Sequence, residues 1–306
     1  MFIIKHKWIF LTVSIILVVG SLLLVATKGI KRGIDFTGGT EVVVSYKSAQ
    51  DVDLGSIKDN LTRTGFEVKD VSLQKKDLDG TNYVSIKLLG EVSQDKRQDF
   101  ERAYTFDNDP SFVTKQISEN VIGPSIGKEL TQKAVWSIVL VSIVIILFVT
   151  FSFREVSKPV SSFKYGLLTI VTLIHDITIP LGMYAVLGIT HGAEIDSLFV
   201  LALLTIMGIS MADTIVVFDR VRENLKNRKS NETFAEVVGK SLNQTLLRSF
   251  NTSLAVLLVL FALYFFGPLS IHDFSLTLIV GMVVGTYSSI FVASPLLVLV
   301  EKWQKK

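Results

Sequence analysis

The sequence predicts a membrane α-helical bundle of six transmembrane helices, with an extracytoplasmic α+β ferredoxin-like (βαββαβ) domain between helices 1 and 2. Three observations carry this prediction. Six stretches are long and apolar enough to cross a bilayer, which takes about 20 residues. Apolar residues make up 49% of the 306 and Phe alone counts 20, a composition too apolar for an ordinary soluble domain. Charged residues still make up 19%, more than spans alone can hold, so a polar domain must accompany them.

The spans read as Trp8–Thr27, Ala134–Phe153, Tyr165–Leu187, Ser197–Phe218, Leu246–Phe266 and Phe274–Val300, and the first two contain no charge. The first resembles a signal peptide, but its apolar core is too long and Ala26-Thr27-Lys28 is a poor cleavage context, so it reads as an anchor. The last is long enough to tilt, or to bend at Pro295. Residues 1–28 thus form the N-terminus and first helix, 29–130 the inserted domain, and 131–306 the other five helices with a polar loop at 219–243.

Orientation follows from the basic residues. Lys5 and Lys7, the 154–164 loop, the 219–243 loop and the tail together hold fourteen Lys and Arg, whereas the short loops 188–196 and 267–273 hold none. The N- and C-termini are therefore expected in the cytoplasm and residues 28–133 outside it. The 16 basic residues of that segment do not count against this, because long domains translocate regardless of charge.

Within the inserted segment, Glu41–Tyr46 reads as a strand. Asp53–Gly65 fits a helix with Leu54, Ile57, Lys58 and Leu61 on one side and Gly65 as its stop. Val68–Lys76 and Tyr83–Leu89 read as strands joined by a hairpin turn at Asp79-Gly80. Ser93–Phe106 is a charged helix and Phe112–Val121 alternates again, completing the order of a split βαβ sandwich. Gly123-Pro-Ser-Ile-Gly127 is expected to break the chain before it re-enters the membrane. In the 219–243 loop, Thr233 and Glu236 suit a capping box. Phe234, Val237, Val238 and Leu242 make an apolar stripe that fits a helix on the membrane surface, or equally one packed on a neighbouring span.

Charged groups inside a bilayer cost about 2.5–3.5 kcal/mol on insertion scales, so each needs an account. Asp213 lies six residues before Asp219, and Arg248 five residues after Asn243, in antiparallel consecutive spans. At 1.5 Å per residue both sit roughly 7–9 Å deep and can meet. Such a pair reads either as a fixed buried salt bridge or as a proton-carrying pair whose members separate. The small residues Gly208, Ser210 and Ala212 and the polar run Thr245 to Ser253 mark a hydrated or tightly packed seam there. His175-Asp176, mid-span in the third helix, could serve a proton relay or form a hydrogen-bonded knot between helices, though adjacent helical residues need not bond each other. His191, Glu194, Asp196, His272 and Asp273 fall in short loops, where a solvated rim is the default. Asp219, Arg220, Arg222 and Glu223 form a charged helix end suited to lipid headgroups. Gly281-x-x-x-Gly285 is a helix-packing motif that recurs by chance.

Several classes are excluded. There is no Cys, hence no disulfide, thiolate metal site or Cys nucleophile. Four His without H-E-x-x-H make a metal site weak, and no Walker A, nucleophile elbow or dinucleotide loop occurs, so neither an ATP site, a cofactor nor an obvious enzyme is implied. A net charge of +3 is too small to argue for nucleic acid.

Gly33-Ile-Asp-Phe-Thr-Gly-Gly39, after the first span, resembles the entry motif of the SecD/SecF proteins of bacterial protein export, with Asp35, Gly38 and Gly39 in place. Gly208-Ile-Ser-Met-Ala-Asp-Thr-Ile-Val-Val-Phe-Asp-Arg-Val-Arg-Glu-Asn224 resembles the fourth-span motif of the SecF members. Gln244-Thr-Leu-Leu-Arg-Ser249 with Asn251-Thr-Ser253 is similar to their fifth-span motif, and Gly285-Thr-Tyr-Ser-Ser-Ile290 to their sixth. The resemblance spans nearly the whole chain in order. It implies membership of the RND transporter superfamily and a place in the bacterial cytoplasmic (inner) membrane. It implies SecD, the SecYEG channel and the SecA motor as partners, and use of the proton gradient to help draw emerging unfolded polypeptide outwards. It carries a role in proton passage to Asp213 and Arg248, and leaves a second acid to SecD. Two other classes stay open: an RND exporter of small molecules or lipids, for which six spans are half a unit, and a structural scaffold of the translocon with Asp213–Arg248 inert.

Overall fold

The computed structural model describes residues 2–47, 53–76, 81–105, 113–154, 159–190 and 192–304. Among these, six helices are long and apolar enough to cross a membrane: Lys7–Lys28, Pro124–Ser152, Ser162–Thr190, Ser197–Lys226, Phe234–Phe266 and His272–Gln304. They are called the first to sixth spans below. The chain divides into two compact units, one comprising residues 1–30, 136–187 and 198–306, the other residues 31–135 with the short segment 188–197.

In the bundle unit, the third, fourth and sixth spans carry the buried faces. The first and second turn Ile9, Ile16 and Leu23, and Trp136, Leu140 and Leu147, outwards, as lipid-facing helices must. Three expectations are corrected here. First, Gly123 to Gly127 does not break the chain before the membrane, because Pro124 is itself the first residue of the second span. Proline suits that position, where its missing N–H would have had no partner. Second, residues 219–243 are not one loop: the fourth span runs on to Lys226 and the fifth begins at Phe234. Third, of the two readings of the Phe234 stripe, packing on a neighbouring span holds and, among the described residues, no separate surface helix exists. Thr233 and Glu236 close a capping box, and no proline interrupts the helix from there to Phe266. Phe234, Val238 and Leu242 pack in one core with Val217, Phe218 and Val221. Where the sequence offered a tilt or a bend at Pro295, the sixth span passes through a π-helical turn, Ser289–Ala293, just before that proline. The wider turn relaxes the clash that a proline makes with the preceding turn of an α-helix.

In the second unit, four strands, β1 (Gly39–Lys47), β2 (Val68–Lys76), β3 (Thr81–Leu88) and β4 (Val113–Ile122), form an antiparallel sheet in the order β2-β3-β1-β4. Strand alternation sends Val42, Val44 and Tyr46 into the core, where they meet Val84 and Ile86 of β3. Ile57 and Leu61 of helix Leu54–Arg63, with Phe100, Ala103 and Tyr104 of helix Arg97–Tyr104, complete that core. Asp53 caps the first of these helices, accepting Gly55 N–H at 2.9 Å. Tyr46 donates its hydroxyl to Tyr104 O at 2.7 Å. Its burial holds the Tyr46 phenol above its ordinary range. The expected turn at Asp79-Gly80 and residue His191 lie outside the described residues.

Candidate functional site

The most enclosed acid in the bundle is Asp176. It is fully buried, and both carboxylate oxygens are occupied. Oδ1 lies 2.8 Å from His175 Nδ1. Oδ2 accepts two hydroxyls, from Ser210 of the fourth span and from Ser288 of the sixth, the latter at 2.8 Å. The neighbours His175 and Asp176 thus bond each other, which helical adjacency alone did not require. The histidine ring stacks on Tyr287, centroids 6.3 Å apart, and Tyr287 donates to Phe10 O of the first span at 2.9 Å. His175 Nε2 is buried without a hydrogen-bond partner. One carboxylate therefore joins three spans, and its histidine keeps one nitrogen open.

The fourth and sixth spans approach closely enough for this because of two glycines. A Cβ on Gly281 would stand 2.1 Å from Ile206 Cδ1, and one on Gly285 3.1 Å from Ser210 Cβ. The Gly281-x-x-x-Gly285 spacing is therefore a packing seam.

Asp213 is half-buried on the fourth span and lines a cavity of about 200 Å³ between the fourth, fifth and sixth spans. Thr205, Ser210, Gly285 and Thr286 share that wall. The carboxylate faces Ser249 and Arg248. No hydrogen bond closes on the buried Ser249 Oγ, and among the described residues no ion pair joins Asp213 to Arg248. Arg248 is exposed on the outer face of the fifth span. The fixed salt bridge, one of the two readings that the sequence left open, is therefore not formed among the described residues.

The charged end of the fourth span is a set of staples. Arg222 pairs with Asp219 at 2.9 Å and reaches Ser152 O of the second span at 3.4 Å. Arg220 pairs with Glu223 and donates to Gln244 Oε1 at 2.7 Å. Asn224 donates to the same oxygen and to Ser241 Oγ, both at 2.8 Å.

In the second unit, Gly33, Asp35, Gly38 and Gly39 build a turn that holds the chain at Ile195 and Ser197. Gly33 N–H donates to Ile195 O at 2.8 Å, and Ile195 N–H to Lys31 O at 2.9 Å. Asp35 Oδ2 accepts Ser197 N–H at 2.8 Å. Gly38 and Gly39 have φ of 75° and 138°, and a Cβ on them would strike Pro124 Cα at 2.9 Å and Leu88 O at 2.4 Å. Only glycine meets both demands. Beside this turn, Glu194 is no solvated rim residue. Its carboxylate is 5% exposed between Lys87 at 3.1 Å and Lys69 at 3.4 Å. Burial pulls the Lys87 ammonium down, but Glu41 and Glu194 outweigh it and hold it above its ordinary value.

Sequence reasoning quoted Ser288 within the sixth-span motif but missed its bond to Asp176, and it missed the ring of charge around Glu194. It placed Ser210 as a small neighbour of Asp213 and as part of the fourth-span motif, without a partner. Two serines that converge on one acid from different helices leave no local spacing signal. Among the described residues, no group of three His, Asp or Glu side chains could hold a metal ion.

Fold and site define a polytopic membrane protein with an inserted α+β domain and polar groups seated between spans. The family described as "Protein export membrane protein SecD/SecF, C-terminal" matches residues 103–303, and the SecD/SecF GG motif matches residues 23–50. The chain is 36% identical to the protein translocase subunit SecF of Thermobaculum terrenum, over 99% of this chain and 94% of that one. It is 37% identical to that of Haemophilus influenzae, over 92% and 80%. Among solved structures it is similar to SecDF from Thermus thermophilus, a translocon-associated membrane protein, with TM-score 0.83 and 32% identity over 99% of this chain. It spans only 38% of that SecDF chain. The chain belongs to the SecD/SecF family, in its SecF branch.

Proposed function

We propose that this chain is the SecF-type half of a proton-driven accessory to protein export in the bacterial cytoplasmic membrane, with both termini in the cytoplasm and the inserted domain outside. SecD is its partner, and the pair works beside the SecYEG channel and the SecA motor on emerging unfolded polypeptide. The match to 38% of a SecDF chain supports a partner that supplies the remainder. The observation that carries the reading is Asp213, a half-buried carboxylate on a cavity inside the bundle, with Arg248 at its depth but unbonded to it. That arrangement suits a carboxylate that changes charge: ionised, it is drawn to Arg248; protonated, it loses that attraction and the helices can shift. His175 and Asp176 lie close enough to the cavity wall to take part. One charge crossing the membrane supplies about 2.3 kcal/mol per 100 mV, more than a tenfold bias of a two-state equilibrium. A small-molecule or lipid exporter, or an inert scaffold, would not need a gradient for protein export. The test is translocation into inverted vesicles with and without a proton gradient. Asp213→Asn should abolish the gradient-dependent part and leave ATP-driven export. A wild-type gradient response in that variant would overturn the reading.

A further inference from the structure

We propose that Ser210 is the connection by which a proton at the Asp213 cavity reaches Asp176, making Asp176 a second proton-holding acid within this chain. The proposal rests on the proton-coupled reading above. Ser210 occupies two places at once: it is among the residues that line the cavity with Asp213, and its hydroxyl bonds Asp176 Oδ2. Ser288 bonds the same oxygen at 2.8 Å but does not line the cavity. The cavity of about 200 Å³ is lined mostly by apolar side chains, and the relay requires that Asp213, Ser210 and Thr286, among its polar lining residues, hold a water in it. The transfer balances. Asp213 in its acid form gives a proton to cavity water, that water gives one to Ser210 Oγ, and Ser210 gives its own to Asp176 Oδ2. Asp213 ends ionised and Asp176 neutral, with the serine and water unchanged. His175, bonded to Oδ1, orients the carboxyl, and its unpartnered Nε2 is the open end of the chain of groups. The π-helical turn that begins at Ser289 lets the Ser288 side of the seat adjust without breaking the sixth span.

The experiment compares two alanines on the same carboxylate oxygen. Each variant replaces the chromosomal copy, and inverted vesicles are assayed for export with and without a proton gradient. The melting temperature of the purified complex is read alongside. Ser210→Ala should bring the ratio of the two export rates close to one, because a lost proton-transfer group costs about 100-fold or more in the step it serves. Ser288→Ala, which removes an equivalent hydrogen bond, should lower it by less than about twofold. Ser210→Thr, which restores the hydroxyl, should recover most of the ratio. The solvent deuterium isotope effect on the gradient-dependent rate should fall in Ser210→Ala only. Equal losses in the two alanine variants, tracking their melting temperatures, would reduce Ser210 to a structural bond and sink the proposal. If Asp213→Asn abolishes the gradient response while Ser210→Ala keeps it, the relay fails and the proton-coupled reading stands. If both keep it, the reading itself fails.

Discussion

Asp35 Oδ2 accepts the backbone N–H of Ser197, the first residue of the fourth span, at 2.8 Å. The two are 162 residues apart. The first four N–H groups of a helix have no partner within it, and a carboxylate at that end also meets the positive end of the helix dipole. The acid of the glycine-rich entry turn is therefore a cap supplied from a distant segment. Asp35→Ala should cost about 1 kcal/mol, as losing a side-chain cap does, and Asp35→Asn less. Thermal unfolding of the chain in lipid reads the first number. Amide hydrogen exchange at Ser197 should speed up in the alanine variant; unchanged exchange there would refute the cap.

Glu194 and Lys87 make the second case. Lys87 is 8% exposed and faces Glu41, Asp70 and Glu194. Its raised value means that the folded state binds the proton more tightly than the unfolded chain. Its contribution is therefore complete below the ordinary 10.5 and is lost as the pH climbs beyond it. Lys87→Met should destabilise the chain by about 3 kcal/mol, the cost of breaking a buried pair. That gap between wild type and variant should stay constant from about pH 7 to about pH 9 and shrink in the alkaline range. A gap that widened with alkali would contradict the assignment.

A third prediction concerns the seam of the fourth and sixth spans. The atom that a Cβ on Gly281 would meet is Ile206 Cδ1, the far end of a flexible side chain, whereas Gly285 faces the Cβ of Ser210. Gly281→Val should cost about 1–3 kcal/mol by overpacking. Ile206→Ala in the same chain should return much of it, a coupling that a double-mutant cycle in lipid detects. Additive losses would mean that the two residues do not share the space.

Legibility in the sequence divides along a physical line. Spans and strands were readable because apolar length and period-two alternation are local: Val42, Val44 and Tyr46 announce their own face. The capping box at Thr233 and Glu236 is local too. Glu194 looked like a loop carboxylate because its partners, Lys87 and Lys69, are 107 and 125 residues away. Asp176 was visible as a costly intramembrane acid, but the serines that hold it come from two other helices. For Asp213 and Arg248, depth was computable from helix rise while side-chain direction was not, and direction decides that they stay apart.

That direction leads to the last prediction. Gln244, Arg248, Asn251 and Thr252 are all exposed on the fifth span and fall on one helical stripe. Gln244 is occupied by Arg220 and Asn224, and Thr252 bonds back to Arg248 O at 2.9 Å. Arg248 and Asn251 are left turned outwards at membrane depth, where an unpaired charge costs about 2.5–3.5 kcal/mol. We expect a second membrane protein with acceptor groups to cover this stripe, whereas the exposed face of the first span around Ile16 carries no charge and suits lipid. A photocrosslinker placed at Asn251 should give an adduct with another membrane protein, and one at Ile16 should not. Arg248→Leu should shift the two readouts in opposite directions. The isolated chain should become more stable in lipid, by up to the cost just given, while its recovery with the partner from membranes should fall. If the leucine variant destabilises the isolated chain, Arg248 already has its partner within this chain. If the crosslinker at Asn251 captures lipid alone, the stripe is not an interface.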